Sequence, residues 1–241
     1  MFKYISQSLI KDIQNAERCN LRTKKNYIDG IRTTPSALML KGLFFEDRLI
    51  GSTRGGDKIE LPKGKNGNTL KSEVDLLELV AESEKVMLNM EVEPIEVQPS
   101  WQWEDLTGHP DLIANFNGSK CIIDIKYTET KEDDRWHGWG DPESMDHLQA
   151  MFYTYLHKQL FEKYIPFYYF VFGKSGWVKV IQIKIEEGSM DIFEQQLNIA
   201  RRDIREFKPT PIGKYNVCRK CDLFDTCESA TKVPEIEEVW Q

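Results

Sequence analysis

Apolar and polar positions along this chain fall into alternating stretches of helical and strand period, and each change of period marks an element. Leu9, Ile13 and Ala16 recur at helical spacing behind Ser6 and Ser8, two candidate caps, which predicts a short helix over 6–20 running up to Cys19. Thr34-Pro35 supplies a cap and a proline at the first helical position, opening a second helix through SALMLKGLFFEDRLI to a stop at Gly51. Residues 51–69 carry Gly, Lys and Asn too irregularly for an element and read as loop. A helix over 72–90 follows, with Ser72 as cap and Leu76, Leu79, Val80 and Val86 inward. Residues 92–103 then alternate as a strand, with Trp101 and Trp103 on one face as core or sheet edge. Two further strands, 112–116 and 120–127, flank Asn117-Gly118. Asp141-Pro142 opens a helix over 141–164 that turns Leu148, Phe152, Tyr155 and Leu160 inward. Strands over 166–172 and 177–185 are joined by Gly-Lys-Ser-Gly, and a last helix spans 189–207. The Gly173-Lys174-Ser175 triplet is not a phosphate-binding loop, because Tyr168 stands where its first glycine belongs.

Asn117-Gly118 is the strongest short-range hairpin signal, and the runs around it suit a half-buried pleated surface. With those two residues as the turn, Phe116 faces Ser119, and counting back in register sets Asp111 opposite Asp124. Side chains two apart share a face, so Lys126 joins them. A turn at Gly118-Ser119 keeps the three together; only an odd-length loop scatters them. Carboxylates facing across a hairpin repel. A cation offsets that cost, and carboxylate, carbonyl and water oxygens are what Mg²⁺ takes. Lys126 then stands where it could orient or deprotonate a metal-bound water, or offset charge on a phosphate. An isolated Asp-x-Lys is usually a solvated surface pair, but this one lies in an Ile-rich strand opposite a third charge.

Composition changes this picture little. The chain has 241 residues, 40% hydrophobic and 29% charged, which suits a soluble globular protein with one sizeable core. No signal segment or membrane-length apolar run is found, and a cytoplasmic location is expected. The net charge of −7 argues against a generally basic surface, yet Arg18, Arg22, Lys24 and Lys25 cluster early and Arg201, Arg202, Arg205, Lys208, Lys214, Arg219 and Lys220 cluster late. Five cysteines in a reducing compartment do not suggest a disulfide framework. Cys218-x-x-Cys221 with Cys227 close behind has the compact spacing of a metal or cluster site that needs a fourth ligand. Cys121 falls on the hairpin face away from Asp124 and reads as core, which leaves Cys19 as the better fourth thiol. Trp136, His137 and Trp139 form an aromatic loop suited either to stacking on bases or to packing on the body.

Pro110-Asp111, followed across the hairpin by Asp124-Ile125-Lys126, resembles the PD-(D/E)XK nuclease signature with Asp in the D/E slot. Around it stand, in order, Gly42-x-x-x-Glu46, the two strand motifs, Gln149-x-x-x-Tyr153, and an early Cys19 matched to the late cysteines. That order resembles the RecB-like branch of the superfamily, including the iron-sulfur exonucleases of CRISPR adaptation and the nuclease domains of AddB-type repair proteins. The CRISPR relatives commonly carry His in the first-helix slot, where this chain has Glu46.

The resemblance implies an α/β fold with a restriction-endonuclease-like core: a central mixed sheet flanked by helices, spanning 1–213, with a cysteine-rich module and acidic tail at 214–241. Carried over residue by residue, Glu46, Asp111 and Asp124, with the Ile125 carbonyl, resemble the ligands of Mg²⁺ or Mn²⁺, and Lys126 the catalytic lysine. Gln149 and Tyr153 match a motif that contacts DNA or supports the site, and His109 is a candidate extra ligand. Cys19, Cys218, Cys221 and Cys227 resemble the ligands of a [4Fe-4S] cluster, with Zn²⁺ as the alternative. The expected activity is metal-dependent hydrolysis of DNA, by an exonuclease favouring single strands. It would serve recombination, repair, replication or CRISPR adaptation, a phage-encoded origin included, with a helicase, recombination or adaptation protein as partner. The competing expectation is a non-catalytic DNA-binding or assembly protein that retains fold and cluster; an intact Glu46, Asp111, Asp124 and Lys126 set argues against it.

Overall fold

The computed structural model describes residues 2–15, 18–31, 35–51, 59–133, 139, 141, 145, 147–186, 188–221 and 223–232. The chain forms two compact units, one of residues 35–190 and one joining 1–34 to 191–241. The late cysteines therefore share a unit with the N-terminal segment and most of the last helix.

The larger unit is built on a five-stranded mixed sheet of order β1 (Glu93–Val97), β4 (Leu112–Phe116), β5 (Ser119–Thr128), β6 (Phe167–Gly173) and β7 (Val178–Ile183). Neighbours pair antiparallel except β5 and β6, which run parallel because helix α5 (Leu148–Phe161) carries the chain back between them. Period-2 alternation sends Leu112, Ala114, Ile123, Ile125, Phe170 and Phe172 to one face, where α3 (Ala37–Ile50) and α4 (Lys71–Asn89) cover them with Phe44, Phe45, Leu76, Leu79 and Val80. Cys121 is fully buried in that same core, and burial pushes its thiol up to about 12, as the hairpin parity requires. The opposite face, which carries Asp124, is left to α5.

Several boundaries differ from the sequence pattern, each for a local reason. The helix α3 starts at Ala37 because the Ser36 hydroxyl accepts the Met39 N–H at 3.2 Å and takes the capping role expected of Thr34-Pro35; Thr34 lies outside the described residues. Helix α4 starts one residue before Ser72, behind Leu70. The strand foreseen over 92–103 divides: Gln98 adopts a left-handed φ of 46° ahead of Pro99 and ends β1, and β2 (Trp101–Trp103) pairs instead with β3 (Leu106–Gly108) in a ribbon against α5. Helix α5 begins at Leu148 rather than 141, and Pro142 lies outside the described residues.

On α5, His157 is buried between Trp101 and Phe161, with ring centroids at 5.4 and 4.6 Å. Its Nδ1–H donates to the Lys163 carbonyl at 2.6 Å, which leaves Nε2 as a buried lone pair with no donor. Burial holds its pKa below the usual imidazole value. An unfolded chain, titrating near ~6.5, takes up this proton first. Stability is therefore expected to be full above that value and to fall as pH drops below it. Melting temperature measured from pH 7.5 to 5 should decline, with a flatter profile in His157→Phe; parallel profiles would exclude this role.

The smaller unit contains α1 (Gln7–Gln14), α2 (Asn20–Tyr27), α6 (Ser189–Arg205) from Asp191 onward, and α7 (Tyr215–Cys218). Ser6 caps α1 by accepting the Leu9 N–H at 3.2 Å, but the helix foreseen over 6–20 ends at Gln14, where Asn15 turns extended. Asp12 is buried against Arg18 at 2.9 Å, and the Asn20 side chain reaches the Lys208 carbonyl at 3.3 Å, tying the chain's two ends together. Phe193, Leu197 and Ala200 form the buried stripe of α6. Among the described residues no helix is long and apolar enough to cross a membrane.

Candidate active site

The hairpin turn forms as its sequence demands, with Asn117 and Gly118 both at positive φ, 51° and 72°. Phe116 pairs with Ser119 and Leu112 with Ile123. One further step in that register sets Asp111 against Asp124, and both carboxylates are buried, at 2% and 0% exposure. The Asp111 Oδ2 accepts the Ile125 backbone N–H at 2.9 Å, which fastens the start of β4 to the middle of β5. Lys126 forms an ion pair with Asp124 Oδ2. Burial by itself lowers the Lys126 ammonium, but the Asp124 and Asp111 carboxylates outweigh it and hold the group above the ordinary lysine value.

Helix α5 supports both strands with side chains one turn apart. The Gln149 Nε2 donates to Asp124 Oδ1 at 2.5 Å, and the Tyr153 hydroxyl donates to the His109 carbonyl at 3.1 Å. Tyr153 thus holds the segment that leads into Asp111, and it is the His109 carbonyl that receives this bond. Gly108 lets the two elements meet: a β-carbon there would stand 2.9 Å from Tyr153 Cε1 and 3.0 Å from Leu156 Cδ2.

Glu46 reaches the site through a residue that the sequence pattern did not single out. Gln98 donates from Nε2 to Glu46 Oε1 at 2.5 Å, and its backbone N–H donates to the Asp111 carbonyl at 2.9 Å. A strand pattern ending at Gln-Pro gives no sign of a left-handed residue, so only the fold reveals this link. Gly108 was more accessible to reading, as a glycine two residues before Pro110.

The site therefore unites Asp111, Asp124, Lys126 and Gln149 directly, with Tyr153 and Glu46 attached through His109 and Gln98. Two buried carboxylates with a third nearby and one lysine leave an excess of negative oxygen, and such a donor set fits a hard divalent cation. Each carboxylate also holds an internal donor, and among the described residues no three His, Cys, Asp or Glu side chains stand gathered as a ready coordination shell. Of the aromatic loop, Trp136 and His137 lie outside the described residues. Trp139 packs edge-on against Tyr169 at 5.8 Å, and its carbonyl accepts Lys179 Nζ at 2.9 Å, so this tryptophan packs on the body.

In the smaller unit, Cys19, Cys218, Cys221 and Cys227 line one cavity of about 30 Å³ together with Pro211, Val217 and Phe224. All four are free thiols. Their sulfurs border a shared space without being gathered closely enough for a ready coordination shell.

The family model of the PD-(D/E)XK nuclease superfamily matches residues 11–228. No curated protein matches the sequence. The crystal structure of a Eubacterium rectale protein, provisionally assigned as an exonuclease, covers 97% of this chain and 91% of its own at 17% identity, with a TM-score of 0.68. At that identity the likeness concerns the fold. The alkaline exonuclease of Laribacter hongkongensis is more distant, with a TM-score of 0.43 at 10% identity over 85% of this chain and 89% of its own.

Proposed function

We propose that this chain, which belongs to the PD-(D/E)XK nuclease superfamily, is a metal-dependent deoxyribonuclease that works at DNA ends with a preference for single strands. The observation that carries the reading is the pairing of buried Asp111 and Asp124 across the hairpin with Lys126 on Asp124. Asp111, Asp124, Glu46 and the Ile125 carbonyl would hold Mg²⁺ or Mn²⁺. A bound divalent ion supplies polarisation of the scissile phosphate and a more acidic water.

This chain's own residues supply the rest. Lys126, paired with Asp124, offers a positive charge to the negative charge that develops on the phosphate. Gln149 fixes one oxygen of Asp124 and the Ile125 N–H one oxygen of Asp111, so the two carboxylates keep their remaining lone pairs in set directions. Tyr153 holds the backbone that carries Asp111. End trimming of this kind would serve recombination, repair, replication or CRISPR adaptation, alongside a helicase or another recombination or adaptation protein.

End-labelled single- and double-stranded linear DNA and a closed circle, each with Mn²⁺, Mg²⁺ or EDTA, test the reading. Short labelled products from linear DNA in metal, with the circle intact, are expected. Nicking of the circle would make the enzyme an endonuclease. DNA binding without products in either metal would favour the non-catalytic alternative.

The four thiols are proposed to hold a [4Fe-4S] cluster that joins the N-terminal segment to the C-terminal cysteines. Anaerobically purified protein should be brown, with broad visible absorption that reductant bleaches. A colourless protein carrying one equivalent of zinc would assign the site to Zn²⁺ instead.

A further inference from the structure

Gln98 combines three features found together at no other described residue. It is a non-glycine residue held at a φ of 46° immediately before a proline, a costly conformation that persists only where surroundings impose it. Its backbone N–H and its side-chain Nε2 are both spent on the site, the first on the Asp111 carbonyl at 2.9 Å and the second on Glu46 Oε1 at 2.5 Å. The other polar atom of its side chain, Oε1, is buried without a hydrogen-bond donor. A buried amide with one end committed and the other unsatisfied carries a desolvation cost, and that cost is recovered once a donor arrives.

We infer that Gln98 is the positioning residue of the metal site: it fixes the Glu46 carboxylate through Nε2 and presents Oε1 as an acceptor for a water on the bound ion. The inference rests on the nuclease reading of Glu46, Asp111 and Asp124. An amide suits this place where a carboxylate does not. It can donate to Glu46 and accept from water at once, and it adds no charge to a site that already holds three carboxylates. The left-handed backbone aims the side chain back across the start of β4, so that a single residue at the end of β1 connects the helix bearing Glu46 to the strand bearing Asp111.

The test is Mn²⁺ binding without DNA, read by the loss of free-ion electron paramagnetic resonance signal, in Gln98→Asn and Gln98→Gly. Both replacements tolerate the left-handed backbone, and neither reaches Glu46, so the fold is kept while the contact is lost. Supporting partners of metal ligands typically contribute about 10- to 100-fold in affinity. Mn²⁺ affinity is expected to fall by at least ~10-fold in both variants, with melting temperature unchanged or raised in Gln98→Gly. The same replacements in a Glu46→Ala background should lose less than in the wild type, because only the contact of Oε1 with the ion's water is then left to remove. Wild-type affinity in both variants, together with weakened binding in Glu46→Ala, would overturn the role of Gln98 and leave the metal site standing. Equal binding by wild type and Asp124→Ala would overturn the metal-site reading, and this inference with it.

Discussion

Replacing Lys126 by alanine is expected to lower the cleavage rate by at least ~100-fold, the loss typical when one preorganised charge or donor to the transition state is removed. The reason lies in where the ammonium is held. It is paired with Asp124 beside Asp111, so it presents a positive charge to a phosphate brought against the same carboxylates. Alanine also leaves the fully buried Asp124 without its cation, and some loss of stability should accompany the loss of activity. Lys126→Arg separates the two effects. It keeps a cation on Asp124 and should restore the melting temperature, yet a planar fork does not replace a compact ammonium, and cleavage should stay low. Unchanged cleavage rates in the alanine variant would remove Lys126 from the catalytic group.

The second large effect is expected from Gly108→Val. Even one β-carbon would press on Tyr153 Cε1 at 2.9 Å and Leu156 Cδ2 at 3.0 Å, both on a helix buried against the β2–β3 ribbon and the sheet. Overpacking of this sort costs about 1–3 kcal/mol. The movement that relieves it must shift Tyr153 from the His109 carbonyl or shift the segment leading into Asp111. Activity should therefore fall further than stability alone accounts for, and at a temperature where the variant is fully folded the defect in cleavage should persist. A single variant with normal melting and normal cleavage would show that this close approach is dispensable.

What could be read from the sequence, and what could not, follows from the range of the interactions concerned. The Asn117-Gly118 turn fixes its register locally, because only residues that accept positive φ at both positions make this two-residue turn. Asp111, Asp124, Lys126 and buried Cys121 followed from it by counting. Gln149 and Tyr153 were legible as a pair one turn apart, although what each would hold, a carboxylate in one case and a backbone carbonyl in the other, depends on how α5 lies across two strands. The break at Gln98 was not legible. Alternation continued through residues 92–103, and the departure of Trp101 and Trp103 into a separate ribbon depends on a local turn at Glu104 that pairs β2 with β3 and on the distant α5 that the ribbon packs against. Helix starts moved for a smaller reason: Ser36 and Thr34 are both competent caps, and the choice between them rests on which hydroxyl meets a free N–H. The convergence of four cysteines from the two ends of the chain on one cavity is a tertiary event that spacing could only suggest.

The most direct test of the account is a time course of 5′- and 3′-labelled linear DNA with purified protein in Mn²⁺, divided midway so that one half receives EDTA. Steady release of short labelled products is expected, stopping at once on chelation and resuming when Mn²⁺ is restored in excess. Intact DNA throughout, from a folded protein that retains its Mn²⁺ binding, would contradict it, and so would product release that continues unchanged after EDTA.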